Sequence, residues 1–145
     1  MIQKKTAVIG GGASGLIAAY FASEKSNVTL FERQKKIGRK ILVTGNGRCN
    51  ITNKNIDPGR YHGHNPEFTS RVFSSFGLAE TEKFFNSIGI PLIEEDDGKL
   101  FPASLQASIV PKAFEYELVK RGVDIRVHRK IEKIIPEKNK FRLIT

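Results

Sequence analysis

The feature that most constrains this chain is the run Gly10-Gly11-Gly12-Ala13-Ser14-Gly15, which has G-x-G-x-x-G spacing and directly follows Thr6-Ala7-Val8-Ile9. A short β-branched apolar run bounded by glycine reads as a strand buried on both faces of a parallel sheet. Beyond the glycines, Leu16, Ile17, Tyr20 and Phe21 recur at helical spacing between Ala13 and Lys25, with Asn27 as a helix stop. Val28-Thr29-Leu30-Phe31 then reads as a second buried strand. The three pieces close within about 30 residues, the size of a strand–helix–strand crossover, which is parallel and right-handed by default.

Each glycine has a physical reason to be where it is. Gly10 permits the tight turn, Gly12 lets backbone approach a pyrophosphate with no side chain intervening, and Gly15 allows close helix–strand packing. The amides at the helix start, including those of Ala13 and Ser14, have no intrahelical partner, and the helix dipole favours negative charge there. Glu32 ends the second strand, about 20 residues on, where a dinucleotide site has a carboxylate that accepts hydrogen bonds from ribose hydroxyls. A lone carboxylate at a strand end is commonly just solvated. Strand, glycines, helix and acid together predict an α/β, Rossmann-like dinucleotide-binding domain.

From Arg33 to Asn65 no period is sustained, and so long a loop is uncommon unless it binds something. It opens with the cationic run Arg33-Gln34-Lys35-Lys36-Ile37-Gly38-Arg39-Lys40, suited to a phosphate-bearing ligand. Lys35 and Lys36 read as solubilising surface, whereas Arg39 and Lys40 adjoin Gly38 and lead into the glycine-rich segment that follows. Two short helices are expected at Glu67–Phe76 and Ala79–Ile88, with Phe73, Phe76, Phe84 and Phe85 in the core. Pro91 to Ile93 reads as a strand before a solvated acidic turn, Glu94 to Gly98. Ser108 can cap a helix with Pro111 in its first turn, Val110, Phe114, Leu118 and Val119 on one side, and Gly122 at its end. A strand at Val123–Val127 and a hairpin of Ile131–Ile135 with Phe141–Ile144, turning at Pro136–Asn139, complete the chain. No repeat or linker divides it.

The chain has 145 residues, 24 Lys+Arg against 15 Asp+Glu and a net charge of +9. The longest apolar run, Leu16 to Ala22, falls far short of the ~20 residues that cross a bilayer, so no membrane partner is expected. A secretory signal is conceivable from Lys4 and Lys5 before an apolar stretch, but four glycines interrupt it. The single Cys49 excludes an internal disulfide and fits a reducing, cytoplasmic setting. As a thiolate beside a redox group, with Arg48 lowering its pKa, Cys49 could shuttle electrons; it has no second cysteine to work with. His62 and His64 lack a further placed ligand, so no metal site is expected. The charge alone offers a nucleic-acid reading, with Lys120, Arg121, Arg126, Arg129, Lys130 and Lys133 as a basic patch, but no recognition motif accompanies it.

The run GRKILVTGNGRCNITN at 38–53, with VIGGGASGLIAA near the start and GKLFPAS at 98–104, resembles the BaiN-like (YhiN-type) flavoproteins, two-domain bacterial FAD-dependent oxidoreductases. The resemblance covers nearly the whole chain and implies FAD bound in extended form, with NAD(P)H as an electron donor. It implies that Gly10, Gly12, Ala13, Ser14 and Gly15 meet the diphosphate and Glu32 the adenosine ribose, with Arg33 following it. Arg39 and Lys40 would lie along the cofactor, and Thr44, Gly45, Gly47, Arg48, Cys49 and Asn50 would approach the flavin end. Ile131 would match the position whose backbone meets adenine. Family members are longer, so residues 1–145 are expected to be the N-terminal part of an FAD/NAD(P)-binding domain, without the inserted substrate domain and the C-terminal return. The expected function is that of a flavoprotein oxidoreductase, or a fragment of one, acting on a small-molecule substrate. The alternative is a non-catalytic dinucleotide-binding remnant or split-gene half that needs a complementary C-terminal chain.

Overall fold

A computed structural model describes residues 4–145. In chain order the regular elements are β1 (Lys5–Ile9), α1 (Ala13–Ala22), β2 (Asn27–Phe31), β3 (Thr52–Asn53), α2 (Pro66–Ser75) and α3 (Leu78–Ser87). They continue with β4 (Leu92–Glu95), β5 (Lys99–Pro102), α4 (Ile109–Lys120), β6 (Asp124–Arg126), β7 (Lys133–Glu137) and β8 (Lys140–Ile144). The chain divides into two compact units, one made of the residues up to Ile41 with Phe114–Thr145, the other of Leu42–Ala113. No change of composition marks that division, because the chain leaves the first unit inside an irregular loop and re-enters it within α4.

In the first unit β1, β2 and β6 form a parallel sheet in the order β1-β2-β6. Lys5 pairs with Asn27 and Ile9 with Phe31, while Thr29 pairs with Asp124 and Phe31 with Arg126. The expected crossover is present, and α1 packs on β1 and β2. Leu16, Ala19, Val28 and Leu30 are buried, as are Phe114, Leu118 and Val123. Three expectations need correction. β1 lies at an edge of the sheet and is not buried on both faces: Ile9 is 47% exposed and lies with the exposed Ala7 on one face of the strand. Val119 is 62% exposed, since the buried stripe of α4 runs through Val110, Phe114 and Leu118 and Val119 falls one step around the helix. Phe21 likewise faces out beside the buried Tyr20. The hairpin β7–β8 forms with Glu137 opposite Lys140, so Pro136 belongs to a strand and the turn is tighter than expected. A two-residue turn is the common hairpin connection.

In the second unit β3, β5 and β4 make a small antiparallel sheet, with Leu92 opposite Pro102 and Thr52 opposite Leu100. The expected acidic turn is therefore shorter: Glu94 and Glu95 extend β4, and only Asp96–Gly98 turn. Helices α2 and α3 appear where expected, and Asn65 Oδ1 accepts from Phe68 N at 3.3 Å as the N-cap of α2. Phe84 and Phe85 are buried with Leu100 and Phe101, but Phe76 is 38% exposed, because it lies past the end of α2 rather than on its inner face. Among the described residues no helix is long and apolar enough to cross a membrane.

Candidate functional site

The first unit builds a turn fit for a diphosphate. Gly10 has φ +102, a conformation open to glycine and strained for other residues, and its N–H continues the ladder to Phe31 O at 2.8 Å. A Cβ on Gly15 would lie 1.8 Å from Gly10 O, so helix and turn can touch only through glycine. Around Gly12 a Cβ would meet no atom within 4 Å. The space in front of Gly12 is therefore open. Gly12 is the N-cap of α1 without a side-chain cap, and the first helical bond runs from Leu16 N to Gly12 O at 2.9 Å. The amides of Ala13, Ser14 and Gly15 precede that bond, as donors for an anion.

Glu32 is fixed by two backbone amides. Gly11 N–H donates to its Oε2 and Gln34 N–H to its Oε1, each at 2.7 Å. A carboxylate has about four lone-pair sites, so both oxygens keep acceptor capacity for a ribose diol. Gly11 is the residue that spacing rules overlook: its O also accepts from Gly38 N at 2.7 Å, and it binds the glycine turn to the cationic loop. Its signal was a glycine, the middle one of three in a row, at a position where the motif allows any residue.

Beside Glu32 a cavity of about 200 Å³ is lined by Gly10, Glu32, Arg33, Arg129, Lys130 and Ile131, with Ile9 and Phe31 beneath. Its volume is below the ~300 Å³ at which pockets for whole ligands begin, which suits one end of a dinucleotide. Four expected site residues, Gly10, Glu32, Arg33 and Ile131, thus come together across more than a hundred residues of sequence. Ile131 lies between β6 and β7 rather than inside a strand. Arg129 and Lys130 were read as part of a basic patch, yet they line this cavity. Elsewhere in that patch Lys120 and Arg121 pair with Glu117 and Arg126 with Asp124, which lowers the free positive charge. Arg39 is exposed and donates to Gln34 Oε1 at 2.8 Å, and Lys40 is exposed.

The expected flavin-end residues lie in a loop of the second unit. Gly45 has φ +54, and a Cβ there would stand 2.6 Å from Asn50 N and 2.9 Å from the Phe101 ring. Asn46 and Cys49 also have positive φ, 55 and 64, so the loop is tightly wound. Cys49 N–H donates to Thr44 O at 3.0 Å, and Ala107 N–H to Gly47 O at 2.8 Å. Arg48 is engaged within the chain: it pairs with Glu95, and its guanidinium lies 4.6 Å over the Phe101 ring. Cys49 is buried, and burial pushes its thiol above the usual range, with a Thr44 hydrogen bond opposing. The alternative of a thiolate favoured by Arg48 gains no support: desolvation raises the thiol's pKa and Arg48 pairs with Glu95. Among the described residues no group of three or more His, Cys, Asp or Glu could hold a metal ion.

A family model described as the HI0933-like protein Rossmann domain matches residues 4–145. A 3-dehydro-bile acid delta(4,6)-reductase of Clostridium scindens is 41% identical over 133 residues, which are 90% of this chain and 32% of that protein. The ribosomal RNA dihydrouridine synthase of Escherichia coli is 32% identical over 137 residues, 94% of this chain and 34% of that protein. The chain therefore spans about a third of the length of these curated relatives. The crystal structure of Thermovibrio ammonificans THI4 superposes with a TM-score of 0.61 at 19% identity, over 97% of this chain and 45% of that one, a likeness of fold alone. The parallel sheet, the glycine turn and a family match along all described residues lead to one conclusion: this chain belongs to the HI0933-like Rossmann domain family.

Proposed function

We propose that this chain is the FAD-binding part of a flavoprotein oxidoreductase. The observation that carries the proposal is the pairing of an empty surround at Gly12 with a Glu32 carboxylate pinned beside a nucleoside-sized cavity. These residues fit the group. The amides of Ala13, Ser14 and Gly15 would hold the diphosphate, Glu32 the adenosine ribose, and Arg33 and Ile131 the adenine end. Arg39, Lys40 and, in the second unit, Thr44, Gly45, Gly47, Arg48, Cys49 and Asn50 would serve the remainder of the cofactor. When bound, FAD supplies hydride or electron transfer, and the protein supplies orientation and electrostatics. NAD(P)H is the electron donor of this reading, and a small organic molecule its substrate. The relatives named above, a reductase and a dihydrouridine synthase, support reductive chemistry.

The open edge of β1 favours a second element of the reading. Among the described residues β1 is paired on one side only, and Ala7 and Ile9 on one of its faces are apolar yet exposed. We infer that a further strand, from the same polypeptide or a complementary chain, completes the sheet there. The test is an absorption spectrum of the purified chain mixed with FAD and passed through gel filtration. Co-eluting yellow flavin, from this chain alone or co-expressed with a downstream reading frame, is the expected result. NAD retention without flavin, or no retention in either preparation, overturns it.

A further inference from the structure

Of the chain's asparagines only Asn46 precedes a glycine. An asparagine carboxamide is open to attack by the backbone nitrogen of the next residue, and glycine, having no side chain, shields that nitrogen least. Asn46 and Gly47 are exposed, and a Cβ on Gly47 would meet no atom within 4 Å. Sequence and surroundings both favour reaction here.

The backbone opposes it. Attack closes a five-membered ring, which needs Asn46 Cβ and Gly47 N on the same side of the bond between Cα and the carbonyl carbon. Asn46 has φ 55 and ψ 44, and in an L-residue this ψ puts the two atoms nearly opposite each other. Almost half a turn about ψ therefore separates the folded loop from the reactive geometry. Bonds that bracket the residue bar that turn: Cys49 N–H donates to Thr44 O at 3.0 Å, Arg48 N–H to Gly45 O at 3.1 Å and Ala107 N–H to Gly47 O at 2.8 Å. Reaction must wait for local opening, whose frequency is set by these few bonds.

We propose that Asn46 and Gly47 form a site of spontaneous modification that the folded loop holds shut, and that conversion leaves the loop unable to close again. In the opened loop Gly47 N bonds to Asn46 Cγ, the Cγ–Nδ2 bond breaks, and Nδ2 leaves as ammonia with the proton given up by Gly47 N. Water then opens the resulting succinimide at either carbonyl, which gives an aspartate or an isoaspartate at position 46 without any oxidant or reductant. Isoaspartate adds a methylene to the main chain between Thr44 and Cys49, so the bond from Cys49 N to Thr44 O is lost and the buried Cys49 is uncovered. The site goes beyond the flavin reading and needs no cofactor.

The test is incubation of the full chain at pH 8 in ¹⁸O-enriched water, beside the guanidinium-unfolded chain and the synthetic peptide 41–48, with digestion afterwards in ordinary water and the label located by fragmentation. Trypsin releases 41–48 from the native sequence, and Asn46 is its only side-chain amide. In guanidinium ¹⁸O should enter position 46 before any other asparagine and about as fast as in the peptide, and in the folded chain at least about tenfold more slowly. Arg48→Ala removes the pair with Glu95 and the stack on Phe101 that steady the loop, and should raise the folded rate by about threefold or more. Chain converted in guanidinium and refolded, as circular dichroism verifies, should react with iodoacetamide at Cys49 in a fast phase whose amplitude matches its isoaspartyl fraction. Equal labelling of folded and unfolded chain, another asparagine leading in guanidinium, an unchanged rate in Arg48→Ala, or iodoacetamide kinetics indifferent to conversion overturns the proposal. None of these readouts involves FAD, so failure here leaves the flavin reading standing, and a chain that retains no FAD leaves this site standing.

Discussion

Gly11 and Glu32 act as one unit: the Gly11 amide donates to Glu32 Oε2 at 2.7 Å, and a Cβ on Gly11 would come within 3.2 Å of the same oxygen. The glycine turn and the Glu32 carboxylate are therefore tied directly to each other, with Gln34 N holding the second carboxylate oxygen. Glu32→Gln replaces one acceptor oxygen by an NH2 group, which confronts either the Gly11 or the Gln34 amide. Hydrogen bonds to charged groups are worth about 1.5–3 kcal/mol, so dinucleotide affinity should fall roughly 10- to 100-fold. Isothermal titration with FAD checks this, and Glu32→Asp, too short to reach Gly11, should not restore affinity.

Gly12 and Gly15 separate binding from folding. Gly12 has φ −79 in an extended conformation and open space around its missing Cβ, so Gly12→Val should leave the thermal midpoint nearly unchanged while abolishing FAD retention. Gly15→Ala puts a methyl group 1.8 Å from Gly10 O and should lower stability by about 1–3 kcal/mol or more, the scale of an overpacked core. Urea unfolding of both variants, with and without FAD, measures the contrast.

Cys49 should behave as a buried neutral thiol. Desolvation raises its pKa above the ordinary 9.0, with the Thr44 hydrogen bond opposing. A raised folded pKa contributes stability that is fully present below the unfolded value and lost as pH rises through the folded one. The native chain should therefore lose stability above about pH 9 more steeply than Cys49→Ser. Iodoacetamide at pH 8 should label the folded chain far more slowly than the urea-unfolded chain, because the thiolate is the reactive form.

Arg48 holds the wound loop from within. Arg48→Ala removes a partly exposed pair with Glu95, a stack on Phe101 and a contact from Nε to Gly45 O at 3.4 Å. Exposed pairs contribute about 0–1 kcal/mol and such stacks about 0.5–1 kcal/mol, so a total loss of about 1–2 kcal/mol is expected in urea unfolding. Arg48→Lys should recover only part of it, since an ammonium does not reproduce the planar stack.

The crossover was legible in the sequence because every local signal agreed: β-branched runs, glycine spacing and a helical period all require the same unit. Glu32 was legible for the same reason, by its distance from Gly10. What periodicity could not supply was the neighbour of each strand. The run ending at Ile9 carries the composition of a strand buried on both faces, and which face is covered depends on the packing of other elements rather than on its own residues. Phe76 and Val119 were misread because a single step beyond a helix end, or around its axis, turns an apolar side chain outward. The cavity at Ile131 was reached only by resemblance, since its lining comes from three separated segments, and Arg129 and Lys130 carried no signal beyond charge. Gly11 remained hidden because its constraint arises from Ile37 and Glu32, contacts that exist only once the loop has closed.

The side of β1 that has no strand partner among the described residues also bears on how copies of the chain meet. A parallel neighbour cannot arrive through a tight turn and needs a connection of a dozen or more residues, so nothing local can shield that ladder. Bare edges invite strand addition between molecules, and lysines are a common deterrent. Lys4 and Lys5 stand exposed at the beginning of β1. Exchanging both for neutral residues should therefore increase self-association, which sedimentation velocity would measure.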